Sequence, residues 1–215
     1  MSARAYHESV WDGVPPGLRP SDASLRAFFL LGRLAVERER LDRLVHVLDL
    51  GCGEGYFADL LARAGAEVVG CDVAEEPLRR ARAAHPGLDL RLAEPDGTLP
   101  FEDASFDMVW AGETIEHVLD TARWLSEVRR VLRSSGLLVL STPDHGPLAR
   151  LRVAVGERAF ADHFDPRSDH LRFYVPRALA GLLRDFGFAE VDIARRGGLP
   201  GARRVLLASA RRKRF

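Results

Sequence analysis

The chain has 215 residues, of which 47% are hydrophobic and 29% charged, a composition typical of one globular domain with a sizeable core. Its 31 basic and 31 acidic residues cancel, which leaves no global field to attract nucleic acid. The sequence lacks both a run of roughly 20 apolar residues, as a membrane span requires, and an N-terminal signal core. With only Cys52 and Cys71 as cysteines, we predict a cytoplasmic protein without disulfide bonds.

Residues 23–44 carry apolar side chains at helical spacing and predict an amphipathic helix. Next, VHVLDLG at 45–51 predicts a short apolar strand, YFADLLARAG at 56–65 a helix, and EVVGCD at 67–72 a second strand. A strand, a helix and a strand in such close succession form a βαβ unit. The two strands are therefore expected to lie parallel in one sheet.

The later segments continue this alternation. In chain order they predict a helix at 75–84, strands at 89–93 and 106–111, a helix at 119–133, a strand at 136–142, a helix at 175–188, and a strand pair at 189–195 and 203–211. Residues 143–172 show no clear period, and we expect an irregular insertion over the C-terminal edge of the sheet. Strands that are apolar on both faces indicate a sheet covered by helices on both sides.

A glycine loop, DLGCGEG at 49–55, closes the first strand and opens the first helix. Its glycines allow a ligand to approach the backbone and the helix N-terminus closely. Tyr56 occupies the third glycine position of the G-x-G-x-x-G pattern, which disfavours an NAD-dependent oxidoreductase. Asp72 ends the second strand about 20 residues later, where doubly wound folds place the acid that binds ribose hydroxyls. Loop and acid together predict a nucleoside pocket.

Three phrases occur in order along the chain: VLDLGCGEGYFADLLARAGAEVVGCDVAEE, LPFEDASFDMVWAGETIEHV and LSEVRRVLRSSGLLVLSTP. With them the chain resembles the class I S-adenosylmethionine-dependent methyltransferases from about Val45 to Pro143, and again over DHLRFYVPRALAGLLRDFGF. The resemblance implies a Rossmann-like, doubly wound α/β fold. Its seven-stranded sheet would have the order 3-2-1-4-5-7-6, with the last strand antiparallel and helices on both faces.

The resemblance also divides the chain and assigns cofactor contacts. We expect a single domain, 1–215. It would consist of an N-terminal helical cap (1–44), a cofactor-binding core (45–142), a substrate-side insertion (143–175), and a C-terminal helix with its strand pair (176–215). For S-adenosylmethionine it implies contacts to the methionine part from Asp49, Gly51, Cys52 and Gly53, and to the ribose from Asp72. It also implies contacts to the adenine from Val73 and Asp96, and to the sulfur from Gly112. In the phrase AEPDGTLPF, Pro95 stands where the family has its adenine-binding aspartate, and Asp96 follows one residue later.

The phrase GETIEHV at 112–118 carries three polar side chains at the edge of the sheet where such folds bind ligands. On a helix, Glu113, Glu116 and His117 at positions i, i+3 and i+4 would share one face. Carboxylate and imidazole ligands suit Mg, Mn, Fe or Zn. A fourth ligand would come from the insertion, which offers His145, His163 and His170.

The phrase E-x-x-E-H with a later histidine resembles the metal site of two methyltransferase branches, the ubiquinone-pathway O-methyltransferases and the small-RNA 3′-end 2′-O-methyltransferases. By that resemblance His170, in SDHLRFYVPRAL, is the expected partner of Glu113, Glu116 and His117. Without a metal, His117 or His170 would serve as a catalytic general base. A structural role stays open as well, in which the glutamates cap a helix or pair with arginines.

Residues outside these motifs carry fewer signals. The histidines without partners at useful spacing are predicted to lie on the surface: His7, His46 and His85. The aromatic residues of the flanking segments fit either an acceptor pocket or core packing: Tyr6, Trp11 and Tyr174.

The predicted function is methyl transfer from S-adenosylmethionine to a small molecule, by O-methylation of a catechol, sugar or quinone-precursor hydroxyl. Alternatives are a metal-dependent RNA 3′-end 2′-O-methyltransferase, an N-methyltransferase of a small amine, and a non-enzymatic cofactor-binding regulatory module. The balanced charge makes nucleic acid an unlikely partner. The acceptor would be selected by residues 1–44 and 143–175, where sequence patterns say least, and the oligomeric state is not predicted.

Overall fold

The computed structural model describes residues 3–95, 97–165, 168–199 and 204–214. The helices in these ranges are α1 (Ala3–Trp11), α2 (Ala23–Leu41), α3 (Tyr56–Arg63), α4 (Glu75–Ala84), α5 (Thr121–Val131), α6 (Pro147–Val155), α7 (Glu157–His163) and α8 (Pro176–Asp185). The strands are β1 (His46–Leu50), β2 (Glu67–Asp72), β3 (Asp89–Leu92), β4 (Phe106–Gly112), β5 (Leu132–Pro143), β6 (Phe188–Arg196) and β7 (Val205–Arg212).

The strands form one seven-stranded sheet in the order β3-β2-β1-β4-β5-β7-β6. Strands β1 to β5 pair in parallel with their neighbours, and β7 lies antiparallel between β5 and β6. The predicted order and the antiparallel last strand are therefore confirmed. The order changes direction between β1 and β4, which opens a crevice at the carboxyl ends of these two strands.

Alternating side chains of the strands build two cores, one on each face of the sheet. Val47 of β1 packs with α2 and α3, and the next residue, Leu48, packs with α5 and α8 on the opposite face. This period of two follows from the pleat of a strand, and it confirms the helices on both faces. Among the described helices, none has the length and apolarity needed to cross a membrane.

Two parts of the chain differ from the prediction. The segment 143–172 was predicted to be irregular, which is wrong, because it contains α6 and α7. Neither helix has a buried residue, so neither needs the apolar stripe by which a helix is recognised in a sequence. Helix α1 was likewise not predicted, and it lies over the carboxyl edge of the sheet.

Asp107, the second residue of β4, joins several elements at the opposite edge. Its carboxylate accepts hydrogen bonds from Arg43 at 2.8 and 2.6 Å, from Arg133 at 2.8 Å and from the backbone N–H of His46 at 3.0 Å. Burial raises the pKa of Asp107, but these donors outweigh it and lower the pKa to about 2. The carboxylate is 2% exposed, so its charge is neutralised by protein groups rather than by water.

We expect Asp107→Asn to lower the free energy of unfolding by about 2 kcal/mol at neutral pH, because it leaves the arginines without their buried partner. The folded pKa of about 2 lies below the unfolded value of about 3.9. The stabilisation by the charge is therefore complete above about pH 4 and is lost as the pH falls through about 2.

Urea unfolding of both proteins at a series of pH values measures this effect. The difference between them should narrow toward low pH, and Asp103→Asn, which removes an exposed partner of Arg130, should change stability by less than about 0.5 kcal/mol. A difference for Asp107→Asn that does not depend on pH would contradict the assigned ionisation.

Candidate functional site

Two adjoining pockets, of about 630 and 1330 Å³, open at the carboxyl edge of the parallel strands. They share six lining residues: His7, Gly51, Asp72, Val73, Thr114 and His117. The smaller pocket extends toward Glu94 and Pro95 after β3, and the larger one toward Gly112 at the end of β4. Both lie at the crevice between β1 and β4, where the sequence predicted the ligand site.

The glycine loop turns sharply between β1 and α3. Gly51, Gly53 and Gly55 have φ angles of 78°, 52° and 82°, a region that L-residues rarely adopt. The backbone N–H groups of Gly51 and Cys52 both donate to the carbonyl of Cys71 at the end of β2, at 2.7 and 3.1 Å. A β-carbon at Gly51 would also lie 2.6 Å from Oγ1 of Thr114. Both the conformation and the space at this position require glycine.

The carboxylate of Asp72 faces the pocket at the end of β2. Its Oδ2 accepts a hydrogen bond from the N–H of Gly53 at 2.9 Å, and its Oδ1 accepts one from the N–H of Ala74 at 3.0 Å. Burial raises the pKa of Asp72, and these backbone donors act in the opposite direction. Each oxygen keeps a second lone pair for a ligand hydroxyl, as a ribose-binding acid requires.

Asp49 lies beneath the loop and lines neither pocket. Its side chain is 1% exposed, and its Oδ2 has no hydrogen-bond partner among the described residues. Burial, and then the charge of Asp72, raises the pKa of Asp49 to about 8. Asp49 is thus separated from both pockets, whereas Cys52 and Gly53 line the larger one.

Helix α1, in the segment 1–44 that was expected to form a helical cap, borders both pockets. His7, predicted to be a surface residue, lines both pockets, and Trp11 lines the larger one. The carboxylate of Glu8 accepts hydrogen bonds from the first N–H groups of α4, at Glu75 (2.5 Å) and Glu76 (3.1 Å). A carboxylate is favoured at a helix N-terminus, so this contact holds α1 in place.

Arg26 of α2 is a second residue that the sequence reasoning missed. It is 3% exposed and lines the larger pocket. Its Nη2 donates to the backbone carbonyl of Ser21 and, at 2.7 Å, to the hydroxyl of Ser21, while its Nε has no partner among the described residues. A buried guanidinium with a free donor beside a pocket is a candidate to bind an anionic ligand group.

The phrase GETIEHV forms a turn instead of the predicted helix, since α5 begins only at Thr121. Glu113 has a φ angle of 53°, and its N–H donates to the carbonyl of Ser141 at 3.0 Å. The hydroxyl of Ser141 in turn donates to the Glu113 carboxylate at 2.9 Å. The Glu113 carboxylate is thus hydrogen-bonded to β5, and it is not part of the convergent ligand group found among the described residues.

The other three predicted ligands converge. One ligand atom from each of Glu116, His117 and His170 lies within 4.8 Å of the others, and the two imidazole rings have centroids 4.9 Å apart. The backbone carbonyl of Glu116 accepts hydrogen bonds from Leu171 at 2.8 Å and Arg172 at 3.1 Å. These bonds explain how a histidine more than 50 residues away is brought to the turn.

Glu116 is the unusual member of this cluster. It is 1% exposed, and neither carboxylate oxygen has a hydrogen-bond partner among the described residues. Burial, and then the charge of Glu113, raises the pKa of Glu116 to about 8. A buried carboxyl without partners, aimed at two imidazoles, fits a cation between them, which would satisfy its oxygens and restore its charge.

His117 is held in an orientation suited to a ligand or a base. Its Nδ1 lies 2.9 Å from the carbonyl oxygen of Asp169, so Nδ1 carries the proton and Nε2 presents a lone pair. Burial lowers the pKa of His117, which keeps the ring neutral at physiological pH. A neutral imidazole can accept a proton or bind a metal ion.

The remaining insertion histidines pair with each other. The rings of His145 and His163 are 5.2 Å apart, and Phe173 packs against both. They are not part of the convergent ligand group found among the described residues. Asp96, the predicted adenine contact, lies outside the described residues, although Glu94 and Pro95 before it line the smaller pocket.

Comparison with known proteins gives a consistent relationship. Residues 48–140 match a family described as a methyltransferase domain. A protein of Mycobacterium tuberculosis (strain CDC 1551 / Oshkosh) named "Probable S-adenosylmethionine-dependent methyltransferase" is 38% identical over 157 residues, which are 73% of this chain and 53% of that protein. The ubiquinone biosynthesis O-methyltransferase of Roseobacter denitrificans is 35% identical over 156 residues, 69% of this chain and 61% of that protein.

The solved structure of an S-adenosylmethionine-dependent methyltransferase from Mesorhizobium loti is also similar. It is 25% identical, with a TM-score of 0.62, over 78% of this chain and 91% of that one. This chain spans 53% and 61% of the lengths of the two curated relatives. The region that matches the family, residues 48–140, includes the glycine loop and the turn at 112–118.

The raised pKa of Glu116 predicts a specific pH dependence of stability in the metal-free protein. The folded value of about 8 exceeds the unfolded value of about 4.3, so the unfolded state loses its proton first. Wild-type stability should fall between about pH 5 and pH 8, by roughly 4 kcal/mol more than that of Glu116→Gln. Chemical unfolding across this range measures the difference, with the exposed Glu94→Gln as the control. Parallel curves for wild type and Glu116→Gln would contradict the prediction.

Proposed function

We propose that this chain is a class I S-adenosylmethionine-dependent methyltransferase, which its matched region and its curated relatives support, and that it transfers a methyl group from S-adenosylmethionine to an oxygen atom of a small molecule. The observation that carries the choice of oxygen is the cluster of Glu116, His117 and His170 beside the glycine loop. A hydroxyl must lose a proton when it accepts a methyl group, and this cluster can remove it.

The proposed cofactor orientation follows the pockets. Gly51, Cys52 and Gly53 border the methionine part, and Asp72 accepts hydrogen bonds from the ribose hydroxyls, with Val73 beside the adenine. The Arg26 guanidinium is assigned to the methionine carboxylate, because Arg26 lines that pocket, is buried, and has an Nε without a partner among the described residues. Gly112, which lines the larger pocket and where a β-carbon would lie 2.7 Å from the Trp110 ring, would then border the sulfur.

Methyl transfer from a sulfonium is an in-line displacement, so the protein must mainly position the acceptor and exclude water. We assign the three converging side chains as metal ligands, with Glu113 restricted to shaping the turn through Ser141. A divalent cation bound there would lower the pKa of an acceptor hydroxyl. Asp169 contributes by holding the Nδ1 proton of His117, which leaves Nε2 free.

The proposed acceptor is a catechol, a sugar or a quinone precursor, because two vicinal oxygens can chelate such a cation. The name of the Roseobacter relative, a ubiquinone biosynthesis O-methyltransferase, supports this class. Helix α1 above the pocket and the 143–175 segment beside His170 would select among acceptors. We also propose a cytoplasmic location, which the two free, buried cysteines support.

Cofactor binding provides the first test. Calorimetry should detect S-adenosylmethionine and S-adenosylhomocysteine but not NAD. Asp72→Asn and Arg26→Gln should each weaken binding roughly tenfold or more, because each removes a charged hydrogen-bonding group. Arg38→Gln, on the outer side of the same helix as Arg26, is the matched control and should leave the affinity unchanged. Tight NAD binding, or unchanged affinity in both pocket variants, would contradict the assignment.

Metal dependence provides the second test, with homocysteine release from catechols, sugars and quinone precursors as the assay. Excess chelator should abolish turnover, and Glu116→Ala should remove the bound metal while leaving cofactor affinity nearly intact. Full activity in chelator would contradict the metal assignment. In that case His117 would act as the base, and the rate would already be near its plateau at neutral pH, because the pKa of His117 is lowered.

A further inference from the structure

A groove rich in arginine lies at the same edge of the sheet as the proposed catalytic cluster. Its empty volume is about 1350 Å³, and it is lined by residues of α6, the start of α8 and the end of β6: Arg150, Val175, Pro176, Arg177, Asp192, Ile193, Ala194, Arg195 and Arg196. Strands β5 and β6 are both antiparallel to β7, so they run in the same direction. The end of β6 therefore lies at the carboxyl edge, as does the end of β5.

This groove carries more positive than negative charge, because four arginines line it and the acids nearby are Asp192 and Asp144, which interacts with Arg195 and Arg150. Among the described residues, no acid forms an ion pair with Arg150, Arg177 or Arg196, and the lining acid Asp192 is bonded to Arg33 on α2. Elsewhere in the chain, arginines such as Arg130 are paired with carboxylates. Because the whole chain is electrically neutral, this local excess is a property of the groove and not of the composition.

Arg195 forms an ion pair with a buried carboxylate. Its Nε lies 3.3 Å from Oδ2 of Asp144, which follows β5 and is 7% exposed. The terminal Nη groups of Arg195 have no partner among the described residues, so they can bind a ligand. An ion pair at Nε leaves the two terminal nitrogens of a guanidinium available to two oxygens of one anion.

The N-terminus of α8 adds to the positive electrostatic potential of the groove. This helix of 10 residues begins at Pro176, has no side-chain cap, and borders the groove through Val175, Pro176 and Arg177. Its first N–H groups and its dipole favour a negative charge there. The helix alone would not define a site, but here it points into a groove already lined by four arginines.

We propose that this groove binds a phosphate group carried by the methyl acceptor, an inference that rests on the proposed function of the neighbouring cluster. The groove and the cluster are connected by short segments: His145 follows Asp144, and its Nδ1 lies 3.3 Å from the carbonyl of Tyr174, next to Val175. An acceptor held at both places would present its hydroxyl at Glu116, His117 and His170 and its phosphate to the arginines.

Inorganic pyrophosphate is the probe for the first experiment, with calorimetry of the full chain in the absence of S-adenosylmethionine. Wild type should bind it saturably, and more weakly as salt increases. The double variant Arg177→Gln/Arg196→Gln should weaken binding at least tenfold, because two charge-assisted contacts are removed. Arg184→Gln, at the exposed far end of the same helix, is the matched control and should bind as wild type does.

Three results would overturn the proposal: no pyrophosphate binding, binding that the double variant retains, or binding that S-adenosylmethionine displaces. Flotation with phosphatidylglycerol and phosphatidylcholine vesicles distinguishes a lipid headgroup from a soluble phosphate. Binding to the anionic vesicles without binding to pyrophosphate would also overturn it. S-adenosylmethionine affinity, measured on the same proteins, should not change in the double variant. If the wild-type protein itself does not bind S-adenosylmethionine, that result would instead contradict the proposed function.

Discussion

The parallel pairing of β1 with β4 is the constraint on which the site depends. This pairing, with Leu48 opposite Val109, places the ends of two strands that are distant in sequence side by side. The glycine loop then meets the turn that carries Glu116 and His117. The hydroxyl of Thr114 donates to the carbonyl of Leu50 at 3.2 Å and occupies the space that a β-carbon at Gly51 would need. The Thr114 side chain can therefore occupy this position only because residue 51 is a glycine.

Buried carboxyl groups at the two edges of the sheet have pKa values that are shifted in opposite directions. At the amino edge, Asp107 has four hydrogen bonds and a pKa of about 2. At the carboxyl edge, Asp49 and Glu116 are equally buried but form no ion pair with an arginine among the described residues, and each has a pKa of about 8. The first arrangement stabilises the fold, whereas carboxyl groups with raised pKa values concentrate at functional sites. The contrast supports a functional rather than a structural role for Glu116.

The sheet could be predicted because its signals are local: apolar runs, glycines and regular spacing. The turn at Glu113 could not, since its left-handed conformation depends on Ser141 in β5, which the sequence places 28 residues away. The expected helix is absent at this turn, yet Glu116 and His117 still converge with His170, whereas Glu113 does not join the ligand group. Helices α1, α6 and α7 lacked a buried stripe or a strong pattern, and Arg26 gave no signal because a buried arginine is recognised only from its surroundings.

The central claim is that the crevice between β1 and β4 holds S-adenosylmethionine with its sulfur beside the turn at 112–118. A crystal structure with S-adenosylhomocysteine tests it most directly. The account predicts ribose hydroxyls within hydrogen-bonding distance of Asp72, the methionine carboxylate on Arg26, and the sulfur between Gly112 and His117. A ligand bound elsewhere, or one whose ribose does not contact Asp72, would contradict the account.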